Sequence, residues 1–118
     1  MIQPKYDLKE RTFEFSKATL SFCKKISLTI VTRPLISQLM RSATSVGANY
    51  CEATNASSKK DFRNKIYICK KEAQESKYWL RMLARAVPDK KDKLAILWSE
   101  CQELTLIFGK IVSSLKIG

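Results

Sequence analysis

Asn49 and Glu52 stand three residues apart, and so do Glu72 and Glu75. At helical spacing each pair shares a face, so polar groups from two helices can converge on one site. Carboxylates arranged this way can hold a metal ion, move a proton or pair with cations. The chain has no histidine, which removes the usual proton carrier near neutral pH. It also removes the Glu-x-x-His motif that a dimetal site in a helical bundle requires. There is no Gly-rich phosphate loop and no GxSxG elbow. The expectation is therefore no catalytic residue, no metal and no cofactor. Arg41, Asn49, Glu52, Lys71, Glu72 and Glu75 are read instead as a structural polar network. Carboxylates removed from water need partners, and Arg41 or Lys71 can supply them between helices or subunits.

The four cysteines, Cys23, Cys51, Cys69 and Cys101, form no CxxC pair. A zinc site would need all four thiolates from distant segments. Each falls near an apolar helical line, so four buried, reduced, structural thiols are expected. The first ten residues carry no apolar leader segment. No run of 18 apolar residues occurs, so no membrane span is expected. The chain reads as cytoplasmic.

Charge is the second chemical feature. Twenty-two Lys and Arg face 11 Asp and Glu, a net +11. Residues 57–87 hold nine of those cations against three acids, a net +6. Lys59, Arg63, Lys70, Lys77 and Arg81 recur at steps of four and seven and so line one helix face. A row of cations can follow phosphates without reading bases, and the row is expected to carry any RNA or DNA binding. A solvated face that keeps the protein soluble is the competing account, and an acidic protein is the alternative partner. Tyr78 and Trp79 can stack on bases, although aromatics beside Leu80 and Leu83 fit core or interface better. Trp98 is expected in the core.

Four helical patterns position these groups. Apolar residues make up 45% of the 118-residue chain, with only three glycines and three prolines. That composition fits one domain, residues 1–118, made of long helices with few connections. Asp7-x-x-Glu10 resembles a capping box. Leu8, Phe15 and Phe22, with Thr12, Thr19 and Ile26 between them, then form a helical stripe that decays in the β-branched run near residues 27–32. Phe13 and Leu20 form a second apolar line, which points to burial on two sides. Thr32 and Pro34 start a second helix whose stripe is Ile36, Leu39, Ala43, Val46 and Tyr50. Its other positions are small (Ser42, Thr44, Ser45, Gly47, Ala48), and Gly47 costs about 1 kcal/mol against alanine in a helix, so close packing there is expected. Ser58-x-x-Asp61 caps a third helix with the stripe Phe62, Ile66, Cys69, Ala73, Ser76, Leu80, Leu83 and Val87. Pro88 breaks that pattern. Asp89 then caps a fourth helix with Leu94, Cys101, Phe108 and Leu115 at seven-residue steps. Helices are predicted near 7–30, 34–54, 58–86 and 90–116. The fold class is all-α, an antiparallel up-down-up-down four-helix bundle.

The run Arg41-Ser42-Ala43-Thr44-Ser45-Val46-Gly47-Ala48-Asn49, then Glu52-Ala53, Ser58-Lys59-Lys60-Asp61-Phe62, Lys71-Glu72-Ala73, Glu75-Ser76 and Tyr78-Trp79-Leu80 resembles the four-helix-bundle proteins of the 23S ribosomal RNA intervening-sequence type. With the first and fourth helical patterns the resemblance covers nearly the whole chain. It implies a small bacterial protein with no agreed enzymatic activity, a basic surface and assembly into a homopentamer. Many members of the family carry glycine where Ala53 stands, which implies a less sharp end to the second helix here.

Overall fold

A computed structural model describes residues 7–115. Four α-helices run through the described residues: α1 (Leu8–Cys23), α2 (Thr32–Thr54), α3 (Lys59–Ala86) and α4 (Lys91–Ser114), with a 3-10 turn at Pro88–Lys90 leading into α4. Each helix packs on its sequence neighbours and α4 closes back on α1, so the four form an up-down-up-down bundle. The molecule measures 47 × 31 × 20 Å.

Local chemistry sets the helix ends. The Asp7 carboxylate accepts the Glu10 N–H at 3.3 Å, and the Ser58 hydroxyl accepts the Asp61 N–H at 3.0 Å. Asp61 in turn accepts the Ser57 N–H at 3.3 Å. The sequence places both of these caps correctly. Helix α1, by contrast, stops at Cys23, seven residues before the predicted end. Leu28, Thr29, Ile30 and Val31 leave the helix and are exposed. β-branched side chains crowd the preceding helical turn, and here Thr29 captures the backbone instead. Its hydroxyl accepts the N–H groups of Val31 (3.2 Å) and Thr32 (3.0 Å), while the Thr32 hydroxyl accepts the Thr29 N–H at 2.9 Å. Thr29, rather than Thr32, therefore caps α2, which begins two residues before the predicted start. Helix α2 ends at Thr54, where the Asn55 amide turns back to donate to the Cys51 carbonyl at 3.0 Å. Ala53 fills the core just inside that end. Helix α3 stops two residues before Pro88, and α4 ends at Ser114, short of the predicted end, with Leu115 already out of the helix and residue 116 outside the described residues.

The predicted stripes are the core. Leu39, Val46, Ile66, Leu80, Leu83, Leu104 and Phe108 are almost completely excluded from water. The α1 line Leu8, Thr12, Phe15, Thr19, Phe22 and Ile26 is buried along its whole length. Thr12 and Thr19 satisfy their buried hydroxyls by donating to the carbonyls of Leu8 (2.7 Å) and Phe15 (2.9 Å). Ser76 donates to Ser42 at 2.8 Å in the α2–α3 seam, both side chains fully buried. The second α1 line stays outside, with Phe13 60% and Leu20 48% exposed. Trp98 is half-buried rather than fully in the core. Its indole N–H has no acceptor among the described residues.

Candidate nucleic-acid interface

The five cations Lys59, Arg63, Lys70, Lys77 and Arg81 share one side of α3, as their spacing requires. That side flanks the seam with α4 rather than open solvent. Lys59 and Arg81 are exposed, whereas Arg63, Lys70 and Lys77 are half-buried. The Arg63 Nε donates to the Leu115 carbonyl at 2.9 Å. The Lys70 stem lies over Gly109 of α4, within 4 Å of where a Cβ on that residue would stand. Lys77 donates to Gln102 Oε1 at 2.5 Å, and its ammonium sits 5.4 Å from the centre of the Trp98 ring. Spacing shows that the row lies off the apolar stripe. It does not show which neighbouring helix flanks it.

The polar partners along this seam are neutral: the Leu115 carbonyl, the Gln102 amide oxygen and the Trp98 indole ring. Among the nine Lys and Arg of α3, only Lys65 meets a carboxylate within 4.0 Å among the described residues, pairing with Glu52 at 2.7 Å. The other eight form no ion pair among the described residues.

The six-residue polar network divides. Arg41 bridges α2 to α3, bonding Glu72 at 3.4 Å and making its closest contact with Glu75. The Trp79 indole N–H donates to the same Glu75 carboxylate at 3.0 Å. The Trp79 bond, aided by Arg41, holds the Glu75 carboxyl below its ordinary range, and Glu75 raises the Arg41 guanidinium. Glu52 belongs to a separate pair with Lys65, a partner the sequence reading did not assign. Asn49 donates to the Ser45 carbonyl of its own helix at 2.8 Å. Lys71 is exposed and bonds to neither cluster, though its charge helps to lower the Glu75 carboxyl. Outside the predicted set, Arg11 ties α1 to α4 through a fork of bonds to Glu100 (2.8 Å each) and a third to Glu103 at 2.7 Å. These acids raise its pKa, Glu100 most of all. No local signal marks residues 89 positions apart.

Three of the four free thiols are buried, but Cys51 is exposed, contrary to the reading that all four lie inside. Cys51 follows Tyr50 and so turns about 100° away from the core line. Burial pushes the Cys23 thiol to about 11 and the Cys69 and Cys101 thiols to about 12. The Cys101 thiol donates to the Ala73 carbonyl at 2.9 Å. Among the described residues no group of three His, Cys, Asp or Glu is placed to hold a metal, and no helix is long and apolar enough to cross a membrane.

Comparison with known proteins agrees with this architecture. A family model described as 23S rRNA-intervening sequence protein matches residues 5–110. The chain is similar to a crystal structure from Bacteroides thetaiotaomicron described as a protein with unknown function from the S23 ribosomal protein family. The two are 30% identical with a TM-score of 0.79, over 88% of this chain and 96% of that one. No curated protein matches. On its bundle and on the match across residues 5–110, the chain belongs to the 23S rRNA-intervening sequence protein family.

Proposed function

We propose that this protein is a non-enzymatic, basic, oligomeric bundle that binds RNA or DNA through the α3–α4 seam. The observation that carries the reading is the neutral partnering of the α3 cations. Arg63 and Lys77 are hydrogen-bonded to neutral groups and the Lys70 stem runs past Gly109, and the exposed Lys59 and Arg81 stand at the two ends of the row. Such a row attracts phosphates and releases their counterions.

Assembly supports the same reading. Phe13, Ser16 and Leu20 share one line of α1, and the Ser16 hydroxyl donates to the Ala43 carbonyl of α2 at 3.1 Å. The exposed rings and methyls of that line therefore flank the α1–α2 seam. Between Pro34 and Cys51 the only charged residue of α2 is Arg41, which turns toward α3. The nearly uncharged α2 face beside Phe13 and Leu20 is suited to a second copy of the chain, and the family resemblance makes a pentamer the expected size. Helix α3 lies diagonally across the bundle from α1, so assembly there leaves the basic seam open. Clustered copies multiply weak phosphate contacts.

The test is fluorescence anisotropy with labelled RNA and DNA across a salt series. Arg63→Gln, Lys70→Gln and Lys77→Gln together should weaken binding and flatten the salt slope by up to about 0.9 per lost phosphate contact, with helicity and oligomer size unchanged. A folded triple variant that binds like the parent would refute the assignment of the seam.

A further inference from the structure

A second line of side chains runs along α3, on the side that faces away from the bundle. Lys60, Tyr67, Lys71, Tyr78 and Arg85 lie on it, Asn64 and Gln74 fill other positions, and Arg81, the end of the seam row, borders both lines. The steps alternate four and three, so the line keeps one azimuth for roughly 37 Å at ~1.5 Å per residue. Every residue on it is exposed and none is acidic. Tyr67 and Tyr78 are 52% and 54% exposed.

One of the two rings on this line, that of Tyr78, is held by its neighbours. Tyr78 meets Trp79 edge-to-face, with ring centres 5.0 Å apart and planes at 80°. Trp79 is fixed by its bond to Glu75, and Glu75 by Arg41. The chain Arg41–Glu75–Trp79 thus holds one edge of the Tyr78 ring and leaves much of the ring in solvent. A helix face that only needed to be solvated would have no use for two half-exposed tyrosines spaced between cations. A face built to receive another copy of this basic chain would not place four cations along it.

We infer that this outer ridge of α3 is a stacking track for unpaired nucleotides, in which Tyr67 and Tyr78 receive bases while Lys60, Lys71, Arg81 and Arg85 take the phosphates between and beyond them. Exposed aromatic faces separated by cations match a strand whose bases are free to turn outward. A duplex keeps its bases stacked inside and offers the tyrosines nothing. The inference rests on the nucleic-acid reading above and narrows it to single strands.

The experiment compares three labelled probes of about 20 nucleotides, long enough to cover several site sizes of this kind: oligothymidylate, an abasic strand with the same phosphates, and a duplex. The parent should prefer oligothymidylate over the abasic strand by about tenfold or more. Tyr67→Ala with Tyr78→Ala should erase that preference and leave the duplex affinity and the salt slope unchanged. Tyr67→Phe with Tyr78→Phe should retain it, because stacking does not need the hydroxyl. Equal affinity of the parent for the oligothymidylate and abasic strands would overturn the stacking track while the broader reading stands. So would an alanine variant that keeps the full preference. If polyglutamate displaces oligothymidylate at matched charge concentration, the ridge is a site for acidic chains and the inference fails. Absence of binding to all three probes at about 50 mM salt defeats the nucleic-acid reading itself.

Discussion

Gly47 provides a sharp test of how closely α1 and α2 pack. A glycine inside a helix weakens it, and a close approach by another backbone is the usual reason to keep one. A methyl group built at Gly47 would meet the Thr12 hydroxyl at 3.5 Å and the Thr12 Cβ and carbonyl oxygen at 3.6 Å. These are ordinary contact distances, so the seam already has room for one carbon. Gly47→Ala should therefore gain the helix-propensity difference of about 0.8–1.0 kcal/mol, with a few tenths more from partial burial of the methyl. The net of about 1 kcal/mol corresponds to roughly 4 °C in melting temperature for a domain of this size. Gly47→Leu would drive three further carbons into the buried Thr12 side chain and should cost about 1–3 kcal/mol. Urea unfolding followed by circular dichroism, at one fixed protein concentration, measures both. An alanine variant with a lower midpoint and an unchanged slope would show that the helices are closer than the contacts at Thr12 indicate, and would refute the reasoning.

Three further outcomes are expected. Replacing Arg11 by Met should destabilise the fold by about 2 kcal/mol, since charge-assisted hydrogen bonds to partly buried carboxylates are lost; a double-mutant cycle with Glu100→Gln should show coupling near 1 kcal/mol, and no coupling would mean that solvent screens the pair. With a thiol reagent at neutral pH, Cys51 should react in the folded protein while Cys23, Cys69 and Cys101 react only on unfolding; a second reactive thiol before unfolding would contradict the burial described. The folded Glu75 carboxyl is held below its ordinary range, so its contribution is present above the unfolded carboxylate pKa and is lost as pH falls through the lower folded value. Glu75→Gln should flatten the acid limb of a melting-temperature profile, and an unchanged limb would argue against the Trp79–Glu75–Arg41 cluster.

Much of the fold was legible because helices bury regular lines. The stripe from Ile66 to Leu83 and its α1 counterpart from Leu8 to Ile26 are buried as their spacing requires, and Asp7 and Ser58 announce their helices through short-range bonds. The start of α2 was harder to place. A threonine in a β-branched run reads as helix decay, yet Thr29 acts as a cap once the chain has turned. The candidate site was legible as residue types but not as surroundings. Arg63, Lys70 and Lys77 lie off the apolar stripe, and only the placement of α4 turns that flank into a half-buried seam. The polar network failed as a single unit for a related reason. Spacing puts Glu52 and Glu72 on inward-leaning faces, but their partners, Lys65 and Arg41, are chosen by the packing of α2 on α3.

The four helices are not equally embedded. Helix α1 packs mainly on α2 and only sparsely on α4, whereas α3 is gripped along its length from both sides. Breathing motions of the native protein should follow that ranking, with the Leu8–Cys23 amides exchanging with solvent before those at the centre of α3. Each such excursion bares Phe15 and Phe22 and loosens the Arg11 fork, while α2, α3 and α4 keep their shared interior. Any partner that covers Phe13 and Leu20 binds only the closed form, so by mass action it slows the opening of α1. If that partner is a second copy, as proposed above, exchange rates along α1 rise on dilution, and the helix becomes an internal gauge of how crowded the protein is with its own copies.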